Sequence, residues 1–140
     1  MNLTKNFKLE EFIESKFYDE ESQKDVWADY EINHKEIHPN LVRLANNLQV
    51  LRDEIQKPIT INIAYRPVWW EHKQGRSGKS QHCLGNAADI VVKGMSPSNV
   101  ADTIQKLIDL DRMEDGGLGR YNTFTHFDVR GHKARWDETT

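Results

Sequence analysis

Apolar positions along the chain change their spacing several times, and each change marks an element. Phe7, Leu9, Phe12 and Ile13, with Phe17 following, keep roughly helical intervals, while Glu10, Glu11 and Glu14 take the wet side. Residues 19–38 are polar and without a clear period, with Trp27, Tyr30 and Ile32 as anchors of a loop or short helix. Pro39 reads as a helix start, leading into a segment whose Leu41, Leu44, Ala45, Leu48, Leu51 and Ile55 form one stripe. From Ile59 to Tyr65 the interval drops to two. Ile59, Ile61, Ile63 and Tyr65 point one way and Thr60, Asn62, Ala64 and Arg66 the other, the pattern of a half-buried strand. A long polar loop from Pro67 to Gln81 precedes a second strand over Asn86–Val92. Ser96 as N-cap and Pro97 at the first helical position then open a helix faced by Val100, Ile104, Leu107 and Ile108. After a Gly116-Gly117 turn come a short strand, Leu118–Tyr121, and a final one, Phe124–Arg130, leaving His132 in a C-terminal tail. Helices first, then strands with one helix between them, predict an α+β domain whose largely antiparallel sheet packs against helices.

Composition narrows the class without naming a chemistry. A chain of 140 residues suits one domain spanning 1–140 and is too short for two. With 37% hydrophobic and 29% charged residues it reads as soluble and globular rather than disordered. A net charge of -3 with no basic stripe argues against nucleic acid as a partner. Apolar runs are only a handful of residues long, too short to span a bilayer. The segment MNLTKNFKLEEF lacks the apolar centre of a signal peptide, so the expectation is an intact chain made in a cytoplasm. Cys83 stands alone and excludes an internal disulfide; a small buried thiol is its simplest reading. A monomer is expected.

Candidate chemistry gathers in Ser80-Gln81-His82-Cys83-Leu84-Gly85-Asn86-Ala87-Ala88-Asp89 and in Thr125-His126-Phe127-Asp128-Val129. His82 closes a loop, Asp89 lies in the strand after it, and Gly85 with two alanines leaves room near the backbone. Two imidazoles and a carboxylate from His82, Asp89 and His126 suit one zinc ion, and three protein ligands leave the fourth position open, the mark of a catalytic site. Strand alternation puts His126 and Asp128 on one face, with Asp89 and Arg66 on the polar side, while Phe127 and Val129 point into the core. Taken singly, each of these residues has the bland reading of a surface or satisfied core side chain.

Taken together, the string Ser-x-His-x-x-Gly-x-Ala-x-Asp, with a later His on a strand, resembles the M15 metallopeptidases, the D-Ala-D-Ala carboxypeptidase and phage endolysin group. The match lies in Ser80, His82, Gly85, Ala87, Asp89 and His126, supported by Ala64-Tyr65-Arg66-Pro67, by Gly116–Tyr121 (GGLGRY) and by Phe124–Gly131 (FTHFDVRG). It covers about residues 39–131, leaving 1–38 as an N-terminal helical extension. The resemblance implies a Hedgehog/DD-peptidase-like fold, with zinc on His82, Asp89 and His126. It also implies a substrate-contacting, oxyanion-stabilising role for Arg66. Many members carry an acidic general base three positions before the last His; here that position is Thr123. Asp128 is the nearest acidic candidate, either as base or as the partner that fixes the tautomer of a zinc-bound His. Tyr121 is a candidate donor to a tetrahedral intermediate, against the plainer reading of an ordinary strand tyrosine.

Ser80, Gln81 and Trp69 are candidate substrate contacts; His72 and the Trp69-Trp70 pair sit in the loop before the motif, as groove lining or as loop anchors. Glu71, His34 and His38 read as solvated surface. The function implied is a zinc peptidase cutting bacterial cell-wall peptides, as a D,D-carboxypeptidase or as an endopeptidase of endolysin type. It would act after phage-type release or as a processed exported domain. The alternative is a catalytically silent zinc-bearing module, as in the Hedgehog signalling relatives of this fold.

Overall fold

The computed structural model describes all residues from 1 to 140. Helices α1 (Leu9–Ile13) and α2 (Glu20–Ile55) precede strand β1 (Ile59–Ile63), and the short helix α3 (Val68–Lys73) leads to a 3-10 turn over Gln81–Leu84. Then follow β2 (Ala87–Val92), α4 (Pro97–Asp109), β3 (Gly117–Arg120), β4 (Thr125–Asp128) and β5 (Ala134–Asp137). The five strands run β1-β2-β4-β3-β5, antiparallel except for the parallel β3–β5 pair. Fold class and antiparallel character agree with the sequence pattern.

The largest departure is α2. Pro39 does not start a helix but lies inside one of 36 residues, which is about 54 Å long at 1.5 Å per residue. Asp19 caps it by accepting from the Ser22 amide at 2.7 Å. A proline here deletes the bond to the Lys35 carbonyl, but Lys35 and Pro39 are both exposed, so the freed acceptor is on the solvent side. Val26, Tyr30, Ile37, Leu41, Leu44, Leu48 and Leu51 are buried along one stripe. Before Ile37 that stripe is thin, and Ile32 is an exposed apolar residue off it, which is why residues 19–38 show no clear period.

α1 is a single helical turn or so, and Phe17 lies outside it, exposed. Phe7, Phe12 and Ile13 nonetheless join the one hydrophobic core, with Phe7 and Phe12 edge to face at 6.0 Å. α4 opens on Ser96, which accepts from the Asn99 amide at 3.1 Å, and lies against β2, β3 and β4. Its Val100, Ile104 and Leu107 meet the apolar face built by Ile90, Leu118 and Phe127. The sheet's opposite face is left for polar side chains. β1 ends at Ile63 rather than Tyr65, and a bulge between Ile61 and Ile63 breaks its alternation, so Ile63, Ala64 and Tyr65 are all buried in succession. The C-terminal tail holds a strand, β5, while His132 is exposed in the loop before it.

Candidate metal centre and its cleft

Sheet register brings the candidate residues together in rungs. Asp89 on β2 lies opposite His126 on β4, which lies opposite Gly119 on β3, which lies opposite Trp136 on β5. Two residues along, on the same face, the rung reads Ala87, Asp128, Gly117, Ala134. His82 arrives from the 3-10 turn, which Ser80 caps by accepting from the His82 amide at 3.1 Å. Asn40 on α2 steadies the same turn by donating to the Leu84 carbonyl at 2.8 Å.

The nitrogen of each imidazole that points away from Asp89 is already committed. His82 Nδ1 donates to the Ala64 carbonyl at 2.7 Å, leaving Nε2 3.3 Å from Asp89 Oδ1. His126 Nε2 donates to Asp128 Oδ2 at 2.7 Å, leaving Nδ1 3.0 Å from the same Asp89 oxygen. One ligand atom from each of His82, Asp89 and His126 thus lies within 4.8 Å of the other two. Two neutral imidazole nitrogens and a carboxylate oxygen, each imidazole oriented by an outer acceptor, form a donor set that fits zinc.

Burial and pairing set the charges. His82 is fully enclosed, and burial holds its pKa below the ordinary histidine value, in the neutral form a metal needs. For Asp89 burial alone would raise the carboxyl, but the imidazoles of His126 and His82 beside it outweigh that and hold it well below the usual range. Burial likewise opposes charge on His126, yet Asp128 and Asp89 together raise its pKa.

Asp128 is completely buried, and its oxygens are in use. Oδ1 accepts from the Gly117 amide at 2.9 Å, the Arg130 amide at 3.1 Å and Arg130 Nε at 2.9 Å, while Oδ2 accepts from Arg130 Nη2 at 2.8 Å and from His126. A Cβ at Gly117 would sit 2.1 Å from that carboxylate, so the close approach demands glycine. Asp128 therefore meets His126 from below rather than a substrate from above.

The triad opens into a cleft of about 340 Å3, the size of pockets that take a small ligand or a short peptide stretch. Arg66, Lys79, Ser80, Gln81, Tyr121, Phe124, Arg130 and Trp136 line it with the three ligands. A larger hollow of about 810 Å3 lies between α1, the start of α2 and β1, but it is rimmed by carboxylates and holds none of the triad. Arg66 donates to Ser80 Oγ at 3.2 Å and pairs with Glu71 at 3.4 Å. Glu71 is not solvated, as its sequence suggests, but 1% exposed; it also accepts from Arg76 Nε at 2.6 Å. Burying a carboxylate between two guanidiniums is what makes its position tolerable.

Trp69 lies outside the cleft lining. It sits with Trp70 on α3, half-buried against the core, and Trp70 meets Tyr18 edge-on at 5.1 Å. His72 is exposed, near the Ser77 carbonyl. Thr123 is exposed and also outside the lining, while His38 contacts the Tyr30 hydroxyl on α2. Tyr121 stacks on Phe124 at 4.3 Å and accepts from Trp136 Nε1 at 2.8 Å, which leaves its own O–H free to donate. Trp136 and Lys79 lie outside the quoted motif segments, and Arg130 lies within FTHFDVRG with no role read for it; register and loop path bring all three here.

The family model described as Peptidase M15 matches residues 6–128. The chain belongs to the M15 peptidase family. The matched span takes in α1 and all of α2 as well as His82, Asp89 and His126, and it ends before β5. No curated protein matches this M15 chain.

Proposed function

We propose that this M15 family member is a zinc-dependent peptidase acting on peptidoglycan peptides. The observation that carries the reading is the pair of imidazoles whose outward nitrogens are tied to Ala64 and Asp128 while their free nitrogens converge on one Asp89 oxygen. A zinc ion bound there would supply Lewis acidity, polarising a carbonyl and acidifying water. Arg66 and the Tyr121 hydroxyl face the cleft as donors for an oxygen that gains negative charge, with Ser80 holding Arg66 in place. Gln81, whose Oε1 accepts from Asn86 Nδ2 at 3.0 Å, lines the cleft floor as a substrate contact. Asp128 acts on the reaction only through His126.

One observation favours a second reading. Among the residues lining the cleft, Asp89 is the sole carboxylate, and it belongs to the ligand set. A zinc-bearing module that binds peptides without cutting them needs no further acid.

Mass spectrometry of purified sacculi separates the two. Incubation with the zinc-loaded protein is expected to release defined stem or cross-link peptides, with release lost on chelation and restored by zinc. Sacculi that pass through unchanged, with zinc bound stoichiometrically, sink the peptidase in favour of the binding module.

A further inference from the structure

Trp136 lies on a strand beyond the family-matched residues, yet its side chain reaches the metal centre. Its indole sits 4.9 Å from the His126 ring, tilted by 51°. The route is opened by Gly119, its neighbour on β3 in the same rung, where a Cβ would lie 2.4 Å from the indole. Any other residue at 119 would push the ring away from His126. Trp136 Nε1 donates to the Tyr121 hydroxyl, and the Arg130 guanidinium lies 5.3 Å over the ring. One side chain thus touches a ligand, a candidate oxyanion donor and the arginine that clamps Asp128.

The strand that carries it is fastened independently of that contact. The Ala134 amide donates to the Gly116 carbonyl at 3.0 Å and the Glu138 amide to the Arg120 carbonyl at 2.8 Å. Arg135 reaches Gln105 on α4 at 2.8 Å and Asp115 at 2.7 Å. These ties place the indole before any ligand arrives, which is what a positioning residue requires.

We infer that Trp136 is a positioning residue of the metal centre, holding the His126 ring and the Tyr121 hydroxyl in place, so that β5 is a working part of the cleft wall. The inference rests on the metal reading of the triad but not on which bond, if any, is cut.

The test uses the full chain loaded with cobalt(II) or zinc, with Trp136→Leu and Trp136→Phe. Leucine keeps apolar bulk without a ring and should shift the visible absorption of bound cobalt and weaken zinc binding at least about tenfold. Phenylalanine restores a ring against His126 and should return both readouts toward wild type. If peptide release is measurable, the phenylalanine variant should lose kcat at unchanged KM, because Tyr121 loses its N–H donor. A folded leucine variant with wild-type cobalt absorption and zinc affinity overturns the inference. Should the leucine variant not fold, Gly119→Ala, which displaces the indole, is read the same way and decides by the same criterion. An unshifted spectrum sinks Trp136 alone, whereas metal-loaded wild type that leaves sacculi uncut sinks the peptidase reading alone.

Discussion

The two imidazoles of the candidate metal centre are held by different means. His82 hangs from a 3-10 turn and gives its outer N–H to a backbone carbonyl, that of Ala64. His126 stands on a strand and gives its outer N–H to a side-chain carboxylate that is itself held by Arg130 and the Gly117 amide. The first anchor cannot be deleted by substitution, since every residue has a carbonyl. The second can, and it brings a buried charge with it. Robustness on one wall is therefore traded against electron donation on the other, because a carboxylate makes its imidazole a stronger base than a neutral carbonyl does.

The largest effect comes from removing either ring. His82→Ala and His126→Ala are each expected to lower zinc affinity by more than about 100-fold, read by competition with a chromogenic chelator. Near-wild-type affinity in either variant would remove that histidine from the ligand set.

Asymmetry should appear one layer out. Asp128→Asn is expected to cost about 10–100-fold in zinc affinity, while Ala64→Gly leaves it essentially unchanged. Equal losses in the two variants would erase the distinction between the walls.

Glu71 tests the same idea for the arginine. Glu71→Gln leaves Arg66 and Arg76 without their shared buried carboxylate and should lower stability by on the order of 2–3 kcal/mol in denaturant melts. It should also disturb Arg66 without altering metal stoichiometry. A fully stable variant would mean that the pairing does not hold α3 against the cleft.

The smallest effect belongs to an arginine–carboxylate pair in water. Arg43 grips Glu114 through Nε and Nη2 at 2.6–3.0 Å, but both side chains are 44% exposed. Hydrogen bonds from Arg43 hold the Glu114 carboxyl below its usual range, so its stabilisation is present above pH 4.5 and is lost as pH falls through the lowered value. Glu114→Gln should cost under about 1 kcal/mol at neutral pH and flatten the acid side of a thermal-melting profile. A loss as large as that of Glu71→Gln would show that burial is not what separates the two pairs.

Much of this was legible in the chain, for reasons of range. Capping by Ser96 and the apolar face of α4 are written within a few residues, and so is the alternation that turns His126 and Asp128 one way and Phe127 the other. Donor chemistry of the triad depends only on residue type, so His82, Asp89 and His126 could be singled out before any fold was known. Other features were settled by contacts between distant segments. Pro39 lies inside a helix because the Lys35 carbonyl that it leaves without a partner is on the solvent side, while Ile37 and Leu41 are buried. Glu71 is enclosed because α3 folds it against Arg66 and Arg76, a pairing with no local signature. Asp128 carries no free oxygen toward the cleft because β3 and Arg130 occupy it. Trp136 reaches His126 only because β5 pairs in parallel with β3 across a glycine, and parallel pairing leaves no trace in local spacing. Local patterns specify what a residue can do, whereas long-range register decides which neighbour it does it with.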